Sequence, residues 1–215
     1  MKIAHIISNK VWGGGEQYVY DLCSTLISGG NDVEIFIRPI PAIVGKVATL
    51  GVPIHDYSLK NILKLRDGIV HVHNFKDALK LAVAKKLTHS NIKIVVTRHL
   101  VRPAKTSRLY TWVYANVEKI IFVSDLARKE FLSSQPKVDE AKLCVVRNSI
   151  KTNDNANGFA VDDIKASLSN DTTILMYHGR IAKEKGLNVL IDAVARLKDI
   201  PYHLFLVGAG DAEYT

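Results

Sequence analysis

The sequence predicts an α/β protein built on a doubly wound parallel sheet, followed by a second unit of the same kind that is incomplete. Three observations predict it. Short apolar segments alternate with amphipathic ones, the rhythm of repeated βαβ units. The apolar segments are continuous rather than alternating, as strands covered on both faces are. The polar stretch Lys151–Gly158 (KTNDNANG) interrupts the rhythm, which then restarts.

Ile3–Ile7 reads as the first strand, and a glycine-rich turn follows it. Val19, Leu22, Cys23, Leu26 and Ile27 then place one apolar face on a helix over Glu16–Ser28, which Gly29-Gly30 stops. Val33–Ile37 is the second strand. A loop punctuated by Pro39 and Pro41 leads to a short helix ending at Gly51, and Ile54–Tyr57 is a short strand. Ile69–Val72 is a strand, Phe75–Leu87 a helix and Ile92–Thr97 a buried strand. Leu109–Val117 is helical and Ile120–Val123 is a strand. Ser124 is placed to cap a helix over Asp125–Ser133, and Asp125 suits the positive helix terminus. Leu143–Val146 closes the first domain, assigned to residues 1–150. Residues 151–170 form a linker and connecting helix, the helix near Val161–Leu168. Residues 171–215 hold a strand (Thr173–Tyr177), the turn His178–Gly186, a helix (Leu187–Leu197) and a strand (His203–Val207). One such βαβ unit cannot cover its own sheet, so this second domain is expected to be truncated and to be disordered, swapped or packed in an oligomer.

The totals restrict the function. At 215 residues the chain is long for one domain and short for two. Its 47% hydrophobic and 23% charged content suit a soluble globular protein. Two cysteines, Cys23 and Cys144, lie in apolar stretches and read as buried thiols of a reducing compartment. No signal-like segment opens the chain and no apolar run reaches membrane-spanning length, so a cytoplasmic protein is expected. A net charge of +8 favours anionic partners. The basic residues are dispersed apart from Arg98, Arg102, Lys105 and Arg108, and no nucleic-acid role is expected.

Two turns carry candidate chemistry. Gly13-Gly14-Gly15-Glu16 lies between the first strand and the first helix, where glycine allows close approach and a helix N-terminus offers N–H donors. The dinucleotide fingerprint fails there, because its third glycine would fall on Tyr18, and the P-loop pattern is absent. In the second unit, Arg180 offers a planar fork and Lys185 a point charge at the same kind of position. Two cations at a helix N-terminus oppose its dipole, which an anionic ligand would justify. His71 and His73 share a strand face, but no cysteine or paired carboxylate lies nearby in sequence, so no metal is expected.

The motifs occur in an informative order. Gly13–Glu16 is followed by Val70-His71-Val72-His73-Asn74, Thr97-Arg98-His99, Val123-Ser124, Arg147-Asn148, then Gly179-Arg180 with Lys185-Gly186, and finally Leu206-Val207-Gly208-Ala209-Gly210. In this the whole chain resembles glycosyltransferase family 4, the retaining enzymes of the GT-B fold. The resemblance implies a Rossmann-like acceptor-side domain and the start of a nucleotide-sugar-binding domain. It implies transfer of a hexose from a UDP- or GDP-sugar to a glycan or lipid-linked acceptor, as in lipopolysaccharide biosynthesis, without a cofactor. His99, Arg180 and Lys185 would be catalytic. Gly14, Gly15, Arg180 and Lys185 would hold the donor diphosphate, while Glu16, His73, Asn74 and Arg98 would contact sugar or acceptor. Acceptor contacts are expected from the loops Arg38–Gly45 and Arg98–Ser107, with the protein at the inner face of the membrane.

Two departures qualify the expectation. The family's E-x7-E carboxylates and its ribose and base contacts would lie beyond Thr215, and Ser149 follows Asn148 where glycine is usual. The chain alone is therefore expected to be inactive or to bind donor weakly. The alternatives are a non-catalytic nucleotide- or phosphate-binding module, and an oxidoreductase disfavoured by the failed fingerprint.

Overall fold

The computed structural model describes residues 1–149, 168–169 and 171–210, in two compact units, Met1–Lys151 and Thr152–Thr215. The loop read over Lys151–Gly158 and, Leu168 excepted, the helix read over Val161–Leu168 lie outside the described residues.

In the first unit, strands β1 (Lys2–Ile7), β2 (Asp32–Ile37), β3 (Ile54–Asp56), β4 (Ile69–Val72), β5 (Lys93–Arg98), β6 (Lys119–Phe122) and β7 (Leu143–Val145) form one sheet. Its order is β3-β2-β1-β4-β5-β6-β7, and every pairing is parallel. The order reverses between β1 and β4, the position where open α/β sheets bind ligands beyond their strand ends. Helices α1 (Gly14–Ser28), α2 (Pro41–Ala48), α3 (Leu59–Ile62), α4 (Phe75–Thr88), α5 (Arg108–Asn116) and α6 (Asp125–Leu132) connect the strands. The sequence reading omitted α3, whose single turn is too short to show a 3.6-residue period.

Two apolar layers cover the sheet. Val19, Cys23, Ile35, Ile43 and Val47 make one; Leu81, Ile94, Val113, Tyr114, Phe122 and Phe131 lie in the other. Cys23 is buried, its thiol pushed up to about 12 by desolvation, whereas Cys144 is only half-buried. Local chemistry sets the helix starts. Ser124 accepts the Ala127 N–H at 3.1 Å, and Asn74 accepts that of Asp77 at 2.9 Å. Gly68 is obligatory: its φ is +82°, and a Cβ there would sit 2.9 Å from the Lys2 carbonyl oxygen.

In the second unit, β8 (Thr173–His178) and β9 (Tyr202–Val207) pair in parallel, with α7 (Leu187–Val194) between them in sequence. Beyond the strand ends the two glycine motifs run side by side. Gly179 N–H donates to Val207 O at 3.0 Å and Ile181 N–H to Ala209 O at 2.9 Å. A Cβ at Gly208 would lie 1.8 Å from Gly179 O, so only glycine permits this contact. Met176 and Val189 are 64% and 72% exposed.

Candidate functional site

The C-terminal ends of β1, β4 and β5 open into a cavity of about 550 Å³ in the first unit. Ser8 and Asn9 follow β1, His73 and Asn74 follow β4, and Arg98 with His99 comes at the end of β5. Arg38 reaches it from the end of β2, and Arg102 and Lys105 from the loop after β5. Arg38 and the loop after β5, distant in sequence, thus contribute to one cavity. The stretch expected as a loop over 38–45 is helical from Pro41, and only Arg38 of it lines the cavity, while Phe75, Tyr110 and Tyr114 add aromatic surface.

Asp77 anchors the cavity floor. It is 2% exposed, in the first turn of α4, and accepts hydrogen bonds from Ser8 Oγ, Tyr57 Oη and Asn74 Nδ2, the last at 2.7 Å. Lys80 Nζ lies 3.5 Å away. A carboxylate there also complements the positive helix terminus. Three segments, the end of β1, the stretch after β3 and α4 with its cap, thereby converge on one charge. Burial and the adjacent Asp77 carboxylate both push the Tyr57 phenol up, which keeps it a donor.

Four histidines extend from the core to this cavity. His5 on β1 is fully buried and in register with His71 on β4. The His5–His71 and His71–His73 ring centroids are 5.0 and 4.6 Å apart, and His73–His99 is 5.5 Å. His71 Nε2 meets Thr97 Oγ1 at 2.7 Å, and His73 Nδ1 lies 3.3 Å from His99 Nε2. His73 Nε2 is buried without a partner among the described residues. An unpaired buried N–H is rarer than an unpaired acceptor, so hydrogen-bond satisfaction assigns the proton to His73 Nδ1, which donates to His99 Nε2. His99 then carries its own proton on Nδ1. The Tyr18 ring edge lies against His99, with centroids 5.0 Å apart.

Among the described residues His5, His71 and His73 form a group able to hold a metal ion, their nitrogens all within 4.8 Å of one another. Tetrahedral zinc would draw these nitrogens to about 2.0–2.1 Å from the metal. Desolvation lowers all four histidines, His5 to about 4. Neighbouring rings lower His71 and His73 further, whereas Glu16 partly offsets the effect at His99.

A depressed histidine pKa means the unfolded chain binds more protons than the folded one between the ordinary 6.5 and the folded value. Stability is retained above pH 6.5 and lost as the pH falls toward 4. For His5 alone the full loss is about 3 kcal/mol. The thermal midpoint is expected to drop steeply from pH 6.5 to 4, and less steeply in His5→Val. A flat profile would show that these rings take up protons without unfolding.

The other sequence-derived positions fall elsewhere. Gly14 and Gly15 open α1 outside this cavity, with no atom within 4 Å of a Cβ built on either, so both leave room for a ligand. Glu16 is buried; its carboxylate accepts the Gly13 N–H at 2.9 Å and the Asn9 side-chain amide, which makes it a clasp of the glycine loop. Asn74 is similarly engaged by Asp77 and Ser8. In the second unit Arg180 and Lys185 are exposed, and Arg180 pairs with Glu184. Sequence reading missed Ser8, Tyr57, Asp77 and Lys80. None sits in a recognisable motif; only the sheet order brings them together.

No match was found among curated protein sequences. Among solved structures the chain is similar to Anabaena Alr3699/HepE in complex with UDP-glucose, at 14% identity and a TM-score of 0.76, covering 100% of this chain and 63% of that one. The lipopolysaccharide outer core galactosyltransferase WaaB matches at 14% identity and a TM-score of 0.63, covering 100% and 62%. MurG of Acinetobacter baumannii matches at 11% identity and a TM-score of 0.54, covering 96% and 58%. The chain thus spans under two thirds of the length of these structures, and they establish the GT-B-type architecture of its fold. The profile of Glycosyltransferase Family 4 matches residues 12–154, about two thirds of the sequence, and the chain belongs to that family.

Proposed function

We propose that this chain provides the acceptor-side domain, and the start of the donor-side domain, of a retaining glycosyltransferase that moves a hexose from a UDP- or GDP-sugar to a glycan or lipid-linked acceptor. The observation that carries this reading is the convergence of His73, Asn74, Arg98 and His99 on one cavity at the sheet's switch point. Family membership and the Gly179-Arg180, Lys185-Gly186 turn at the end of β8 support it. In this reading His99, holding its proton on Nδ1, donates to a hydroxyl of the transferred sugar. Arg180 and Lys185 neutralise the charge that develops on the leaving diphosphate. Gly14 and Gly15 leave open space where side chains would stand, at the positive end of α1, for a ligand to approach the backbone. No metal or organic cofactor has a step in this scheme.

No helix among the described residues is long and apolar enough to cross a membrane. The +8 charge favours peripheral association with an anionic cytoplasmic membrane face, where a lipid-linked acceptor would be presented.

The test is calorimetric titration with UDP and GDP, and analysis of the anomeric configuration of any transfer product by NMR. Net retention supports the proposal; an inverted product overturns the mechanism. The Arg180–Glu184 pair competes with the donor, and such exposed pairs contribute only about 0.2–1 kcal/mol. Glu184→Gln is accordingly expected to tighten UDP binding by about 1.4- to fivefold. A weaker affinity in that variant would show that Glu184 itself contacts the nucleotide. A second reading, a phosphate-binding module without turnover, predicts the same binding but no sugar transfer by the full-length protein.

A further inference from the structure

Three buried imidazoles on two neighbouring strands are short of hydrogen-bond partners. His5 on β1 is 0% exposed, and neither of its ring nitrogens has a partner among the described residues. His71, its register neighbour on β4, spends Nε2 on Thr97 Oγ1. His73, two residues further along the chain, spends Nδ1 on His99 and keeps a buried Nε2 unpaired among the described residues. A buried polar atom without a partner is costly. Where several persist together in a native fold, a bound ion or water is the ordinary explanation.

The pattern is the one that metal ligation imposes on histidine. A ligating ring turns one nitrogen to the ion and gives its other N–H to an outer partner, which fixes the tautomer. His71 and His73 already have such outer partners in Thr97 and His99. Strand alternation puts both rings on one face of β4, and the parallel register sets His5 beside His71. One nitrogen from each of the three rings lies within 4.8 Å of the others. The torsion that turns an imidazole about Cβ–Cγ is broad, so ring rotation can bring the three to about 2.0–2.1 Å from one ion. His73 also lines the cavity, which gives an ion a route inward and water a side from which to complete its coordination. The sequence pattern held only the His71 and His73 pair; the third donor comes from strand order.

We infer that His5, His71 and His73 form a binding site for one divalent late transition-metal ion of the zinc or cobalt type. Three neutral imidazoles favour such an ion over magnesium or calcium, which take oxygen ligands. The ion cross-links β1 to β4 and holds His73 in the tautomer that donates to His99. It takes no step in sugar transfer. The site therefore stands or falls independently of the function proposed above.

The experiment titrates the metal-free chain with zinc chloride and with cobalt chloride, following the thermal midpoint and the visible absorption of cobalt. Free zinc at about a hundred times its dissociation constant is expected to raise the midpoint by about 5–10 °C. Cobalt is expected to gain the visible bands of a nitrogen-ligated, low-coordinate ion, saturating at one equivalent. His5→Val removes one ligand while suiting a buried strand, and should abolish both signals. Thr97→Val keeps all three ligands, removes the outer partner of His71 and should weaken zinc binding about 10- to 100-fold. A midpoint shift retained in His5→Val overturns the site, because the ion then sits on exposed histidines such as His178 and His203. Absence of any shift or cobalt band in the unaltered chain at millimolar metal overturns it as well. Should His5→Val not fold, Thr97→Val decides alone, and an unchanged zinc affinity there overturns the site.

Discussion

Asp77→Ala is expected to destabilise the first unit by about 3–5 kcal/mol, a large share of the stability of an ordinary domain. The carboxylate is almost fully buried and joins three donors from the end of β1, the segment after β3 and the start of α4. Hydrogen bonds to a charged acceptor contribute about 1.5–3 kcal/mol each, and their loss is not additive. Alanine leaves Ser8 Oγ, Tyr57 Oη and Asn74 Nδ2 facing an apolar methyl group, and the helix terminus loses its anion. Urea denaturation measures the effect as a lower midpoint at unchanged slope. Because the same three donors shape the cavity floor, Asp77→Ala should also weaken any ligand held there. A loss below about 1 kcal/mol would mean that water replaces the carboxylate, and that the floor is less dry than its geometry indicates.

Arg180→Ala is expected to lower the rate of sugar transfer by about 10²–10³ in the full-length protein, and to weaken UDP binding by this chain. Arg180 is exposed just after β8, and among the described residues its side chain pairs with Glu184 on the same short turn. The pair is easily exchanged for a diphosphate, since a phosphate takes the guanidinium fork more strongly than a screened surface carboxylate does. The backbone below is held stiffly by Gly179 against Val207 and Gly208, so the turn is positioned before the donor arrives. Single-turnover kinetics with the variant would separate chemistry from binding. A rate unchanged within threefold would move the diphosphate role to Lys185 or to another group altogether.

Several departures between sequence and structure have plain causes. The helix read from Glu16 begins at Gly14, because glycine propensity is overridden once Glu16 clasps the Gly13 N–H. The helix read to Leu197 ends at Val194; Ala195 keeps α-region dihedrals, but Arg196 and Leu197 donate to the carbonyls of Ala193 and Val194, three residues back, in a tighter last turn. The polar atoms of Glu16 and Asn74 are engaged within the chain, and Asn74 also lines the cavity. A residue's type announces that it can bond, but not to whom.

The βαβ order and the ordered series of glycine, histidine and arginine motifs were readable in the chain itself. Each depends on short-range regularities: apolar runs, 3.6-residue periods, glycine where the backbone turns. The contact of His5 with His71, the Asp77 cluster and the meeting of Arg38 with Arg98 were not. His5 meets His71 because β1 lies beside β4, and Asp77 meets Ser8 across 69 positions of sequence. Arg38 joins Arg98 in one cavity because the sheet reverses its order between β1 and β4, which collects the ends of distant strands. Local pattern determined which segments became strands and helices. Which charges and rings would share one desolvated space followed from strand order alone, because burial and Coulomb interaction act through distance in space and not along the chain.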